Sequence, residues 1–90
     1  MRIWEKNPNM LIPYYLMFSY LYYEKNISLI EDTEFDKLCS TLLEKYDSVE
    51  HMHKHLVSKE SLTAGTGYDI KYNNRIIGGA MLLEKEWKNA

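Results

Sequence analysis

Cysteine is nearly missing. Cys39 stands alone among 90 residues, so a disulfide within the chain is excluded, and a reducing, cytoplasmic setting is expected. An excess of either charge is missing too. Eleven basic and thirteen acidic side chains leave a formal charge of -2, which argues against a cationic nucleic-acid clamp and equally against an acidic mimic of DNA. Glycine and proline are sparse, and no repeat or low-complexity linker divides the chain. A single domain, residues 1–90, is therefore expected. It offers no space for a cofactor domain beside a substrate domain, so neither a resident cofactor nor enzymatic activity is expected.

A secretory leader is also not evident: Arg2, Trp4, Glu5 and Lys6 are followed by no apolar core with a small-residue cleavage site. The uncharged stretch from Asn7 to Tyr23 invites a membrane reading, but it contains Pro8, Pro13, Ser19 and five tyrosines, and its apolar part is too short to cross a bilayer. A helix buried on most sides explains it better.

What is present is the composition of a folding chain, 46% apolar and 13% aromatic, with helical periodicity. The fold class read from it is mainly α, a small helical domain built on an antiparallel helical hairpin plus a C-terminal helix. The hairpin covers about 13–47, a histidine- and glycine-bearing connection 48–73, and the last helix about 74–88. Pro13 suits a first turn, where its missing N–H has no intrahelical acceptor to lose, and Asn26 suits a helix end. Asp32 is expected to cap the second helix. Phe35, Leu38, Cys39, Leu42, Leu43 and Tyr46 then form one apolar stripe. Ser58 is expected to cap a short helix that Gly65 and Gly67 stop, and Tyr68 to Tyr72 reads as extended loop. In the last helix Ile76, Ile77, Ala80, Met81, Leu83 and Trp87 share a face. Gly78 and Gly79 cost about 1 kcal/mol each against alanine and suggest close approach of another backbone or a ligand.

The informative stretch runs from Tyr20 to Asp36. Tyr22 and Tyr23 close the first helix, while Asp32, Phe35 and Asp36 open the second. A short connection brings an aromatic pair to face a carboxylate pair. Such a site suits a flat ring that is cationic or rich in hydrogen-bonding groups.

This pattern resembles the small N-terminal helical module of bacterial NAD-dependent DNA ligases, whose signature is a Tyr-His pair followed by an Asp-Ala-Glu-Tyr-Asp run that starts a helix. Here the matching residues are Tyr22-Tyr23 and Asp32-Thr33-Glu34-Phe35-Asp36, with Leu38 and Leu42-Leu43 continuing the leucine pattern. The likeness covers about Tyr14 to Tyr46. In those ligases the module grips the nicotinamide mononucleotide half of NAD. The resemblance implies that Tyr22 and Phe35 stack on the ring, that Asp32 and Asp36 bind amide or ribose groups, and that Tyr23 takes the place of the phosphate-side histidine. Tyr23 for histidine loses a cation or proton donor, and Phe35 for tyrosine loses a hydroxyl. The ligase nucleophile motif Lys-x-Asp-Gly is missing, so the chain looks more like short, stand-alone ligase-module-like proteins of bacteriophage type. That likeness implies a non-catalytic nucleotide-binding protein in a host cytoplasm, one that sequesters a nicotinamide- or ADP-ribose-type nucleotide such as an NAD-derived immune signal.

Other features compete. His51, His53 and His55 have metal-ligand residue types, but no second ligand pair occurs at a fixed spacing, so no metal site is assigned. Instead His53, Lys54 and His55 are candidates for the phosphate side of the same ligand. Thr63-Ala-Gly-Thr-Gly lacks the ending of a P-loop. Cys39 lies on an apolar stripe and reads as an inert thiol. The alternative function is a protein-interaction module that docks on a host or phage protein through Trp4, Tyr14, Tyr15, Tyr68 and Tyr72. A homo-oligomer built on Ile76, Ile77, Met81 and Leu83 is expected, with packing of that face inside the chain as the competing explanation. No membrane or nucleic-acid partner is expected.

Overall fold

The computed structural model describes residues 2–64 and 70–88, and among these it contains helices and no strand. Five α-helices follow one another: α1 (Ile3–Lys6), α2 (Leu11–Lys25), α3 (Asp32–Lys45), α4 (Lys59–Ala64) and α5 (Asn74–Lys88). Two 3-10 turns, Pro8–Met10 and Lys54–Leu56, link them. The mainly helical class read from the sequence is the class observed.

The long uncharged stretch is explained by α2, the central helix. Leu11, Ile12, Pro13, Tyr15, Leu16, Phe18, Ser19, Tyr20 and Leu21 are all buried, so nearly every face of α2 meets other protein. Each such apolar side chain contributes roughly 1.5–3 kcal/mol on leaving water. The broadest partner of α2 is α5, with α3 next, so the C-terminal helix completes the core as much as the hairpin does. From α3 come Leu38, Cys39 and Leu42, and from α5 come Ile76 and Ala80. Val49, Val57, Leu62 and Ile70 close the remaining sides.

Several boundaries follow the local chemistry. Pro13 sits in the first turn of α2, and Asn26 ends that helix in the left-handed region at φ 56°. An asparagine tolerates this better than most residues because its short amide bonds locally. The carbonyl of Leu21 then accepts from the N–H groups of both Asn26 and Ile27. Ser58 caps α4 by accepting from the Ser61 N–H at 3.1 Å, and Asn73 caps α5 by accepting from the Ile76 N–H at 2.9 Å.

Some expectations need correction. Asp32 is not the cap of α3 but its first residue. Glu31 holds the cap position in extended backbone without a side-chain bond, and its carbonyl accepts from the Phe35 N–H. The short helix α1 and the turn after it carry no periodic stripe that would announce them; buried Trp4 and half-buried Met10 anchor them against the core. Met81 does not share the buried face of α5 and is 48% exposed, beside an exposed Leu82. Gly65, Gly67 and Tyr68 lie outside the described residues. No helix among the described residues is long and apolar enough to cross a membrane.

Candidate functional site

A cleft of about 210 Å³ opens where the end of α2 meets the start of α3. Its lining is Phe18, Tyr22, Tyr23, Ser28, Leu29, Ile30, Asp32, Phe35 and Asp36. Tyr22, Tyr23, Asp32, Phe35 and Asp36, the five residues expected to bind ligand, thus stand around one opening.

Each wall has a local cause. Asp32, Phe35 and Asp36 fall on one face of α3 because residues three and four apart are helical neighbours. Their helix begins at Asp32, so that carboxylate lies in the first turn, near the positive end of the dipole, while Asp36 stands one turn further along. Tyr22 and Tyr23 occupy the last turn of α2, with rings edge to face at 5.0 Å between centroids. The connection between the helices is held firmly: Asn26 reverses the chain, and Ile30, 8% exposed, plugs into the core. The Ser28 hydroxyl donates to the Ile30 carbonyl at 2.8 Å and fixes the turn that forms the floor.

Both faces of chemistry are available to a guest. Phe35 is half-buried, and its ring stacks on Tyr15 at 6.0 Å. Tyr22 is 45% exposed. Asp32 and Asp36 are exposed, and neither forms an ion pair among the described residues. The neighbouring Glu34, by contrast, accepts from the Arg2 guanidinium through both oxygens, at 2.9 and 3.2 Å. Arg2 in turn lies 4.5 Å over the Trp87 ring, so this pair ties the N-terminus to α3 and α5 away from the cleft. Cys39, one turn along α3, is buried, and burial first, with the Asp36 charge second, pushes its thiol up to about 12.

The cleft is smaller than the ~300–1,000 Å³ of typical drug-sized sites. That volume is room for one ring with a small substituent.

The residues expected on the phosphate side are not in its lining. His53 is buried, and its Nδ1 lies 3.2 Å from the Asn73 amide nitrogen. The Lys54 ammonium donates to the Val49 carbonyl at 2.9 Å and sits 4.9 Å over the Tyr46 ring. His55 is exposed, in the turn Lys54–Leu56. His53 and Lys54 thus bond within the protein, to Asn73 and to the Val49 carbonyl, and the spacing of this connection from α2 cannot be read from residue types alone. Among the described residues no group of three histidine, cysteine or acidic side chains is placed to hold a metal.

The aromatic residues expected to dock on a partner protein are also placed differently. Trp4 and Tyr15 are core residues, 7% and 1% exposed, and Tyr14 and Tyr72 are half-buried. Trp4, Tyr14, Phe18 and Trp87 form an aromatic cluster with centroid spacings of 5.1 to 5.8 Å. Compared with known protein families, with curated proteins and with solved structures, the chain matches none. A functional reading rests on the cleft itself and on the residues that line it.

Proposed function

We propose that this chain is a non-catalytic binding protein that holds a nicotinamide- or ADP-ribose-type nucleotide, ring first, in the cleft between α2 and α3. One observation supports the reading above the others. The five residues that match the ligase motif, scattered from Tyr22 to Asp36, line a single cleft sized for one ring. Tyr22 and Phe35 offer ring faces, and Asp32 and Asp36 offer acceptors for amide or ribose hydroxyl groups. In a phage-encoded protein the role is sequestration of an NAD-derived host signal, which requires affinity and copy number but no chemistry.

Calorimetry and thermal shift with NAD, NMN and cyclic ADP-ribose test the reading. Bound ligand raises the apparent stability by mass action, by about 2.7 kcal/mol at a hundredfold excess over Kd. A Tyr22→Ala, Asp36→Ala variant should abolish that rise. Absence of heat and of any shift at millimolar ligand would refute it.

A further inference from the structure

We propose that a groove between α3 and the N-terminal turns takes an extended acidic peptide, with carboxylates four residues apart and an apolar side chain midway between them. This groove shares no lining residue with the cleft, and the proposal does not depend on the nucleotide reading.

The groove has a volume of about 610 Å³, against about 210 Å³ for the cleft. Its α3 wall is one oblique row, Thr33, Lys37, Thr41 and Lys45, because residues four apart form a ridge on a helix. From Thr33 to Lys45 the row climbs about 18 Å, at roughly 1.5 Å per residue. The groove is therefore elongated and suits a short length of chain better than a single ring. Its floor is apolar: Trp4, Leu11 and Leu38, all core residues, line it, and Pro8 adds an exposed ring.

Charge separates along this row. Near the start of α3, Glu34 is paired with Arg2, whose guanidinium also attracts Glu5. Lys37 and Lys45 are exposed, and neither has an ion pair among the described residues. Between them, Thr41 donates its hydroxyl to the Lys37 carbonyl at 2.8 Å. The stretch from Lys37 to Lys45 thus presents two uncompensated cations beside an apolar floor, which is the complement of an acidic, partly apolar partner.

The spacing narrows that partner further. Lys37 and Lys45 are about 12 Å apart along the helix axis. An extended chain advances roughly 3.3 Å per residue, so side chains four apart stand about 13 Å apart and point to the same side. The side chain midway points to that side as well, toward the floor. A Glu-x-Leu-x-Glu segment therefore meets both lysines and the apolar floor together. A nucleic-acid strand suits the groove less, because only two cations are free and Glu5 and Glu34 line the same opening.

NMR titration of the isotope-labelled chain at low salt tests the proposal. The probes are the capped peptide Ser-Glu-Ser-Leu-Ser-Glu-Ser and its versions with Gln or Lys in place of both Glu. The acidic peptide should shift the amides from Lys37 to Lys45 and the Trp4 indole. It should bind at least about threefold more tightly than the Gln version, which lacks both ion pairs, and the Lys version should bind most weakly. In a Lys37→Glu, Lys45→Glu variant the order should invert, with the Lys peptide tightest. Both positions are exposed, and the amide spectrum of the variant shows that it folds. If it does not fold, the salt dependence of the unaltered protein decides: the advantage of the acidic peptide over the Gln version should vanish by about 1 M salt.

Equal affinity for the three peptides would overturn the proposal. So would an unchanged order in the variant, a salt-independent advantage, or no shift from Lys37 to Lys45 at millimolar peptide. Tighter occupation of the groove by octanoate, by an oligothymidylate or by a second copy of the chain would overturn it too.

Discussion

The ring of Phe35 lies 6.0 Å from that of Tyr15 and only 17° from parallel. One wall of the cleft is thus braced by a core residue that is 1% exposed. Phe35→Ala removes this brace and should destabilise the fold by roughly 2 kcal/mol, below the fully buried case because Phe35 is half-buried. Phe35→Tyr should leave stability within about 0.5 kcal/mol and should not weaken ligand binding. Urea unfolding of both variants, with NMN titration of the second, checks this.

A second expectation concerns acid. The Oδ1 of Asn73 accepts from the Ile76 N–H, which leaves its amide nitrogen to donate to Nδ1 of His53. The imidazole is then neutral, and burial first, with His55 and Arg75 following, lowers its pKa from the ordinary 6.5. The His51 ring, tilted against it at 5.3 Å, is lowered by burial first and by His53 second. The unfolded chain therefore takes up protons before the folded one. The contribution is complete above about pH 6.5 and declines as pH falls through the folded values. Thermal midpoints should drop from pH 7 to pH 5. Asn73→Asp keeps the cap but places a carboxylate beside His53, and should weaken or reverse the trend. An unchanged slope in that variant would contradict the assignment.

The two glycines of α5 should behave differently. A Cβ on Gly78 meets nothing within 4 Å, whereas one on Gly79 comes within 3.1 Å of the Met17 Sδ. Gly78→Ala should therefore stabilise by about 1 kcal/mol through helix propensity alone. Gly79→Ala should gain distinctly less, since the Met17 side chain must shift. Chemical denaturation of the pair measures the difference.

Arg2→Met removes the ion pair with Glu34 and the cation over Trp87. Both partners are partly exposed, so solvent screening holds the expected cost to about 0.5–1 kcal/mol. The cost should shrink in 1 M salt, as comparison of denaturation midpoints at low and high salt would reveal.

Cys39 should be inert in the native protein. It is 7% exposed, and its thiol is pushed up to about 12, so little thiolate forms at neutral pH. Alkylation by iodoacetamide at pH 8 should proceed only in denaturant; rapid native-state labelling would show that α3 opens locally.

The helices were legible where side chains repeat with the helical period. The range 74–88 for α5 emerges from its apolar spacing, and Asn26 and Ser58 mark boundaries through conformations and caps that few residue types supply. The five cleft residues were legible as a motif, since a tight connection between two helices forces its flanking turns together. Other features depend on packing between distant segments, which residue types do not encode. Trp4 and Tyr15 look like surface anchors, but Trp4 packs on Tyr14 and Phe18 of α2 and Tyr15 on Phe35 of α3, and both are buried. Asp32 looks like a cap, and the helix simply starts one residue earlier, with Glu31 in the cap position. The partnership of His53 with Asn73 joins residues far apart in the chain and has no local signature.

All walls of the cleft come from one continuous stretch, Phe18 to Asp36. Closing so short a loop needs little entropy and occurs early when a chain folds. A guest seated there would reinforce that first bend. It would therefore speed refolding as well as slow unfolding, whereas a molecule bound across distant segments would act on unfolding alone.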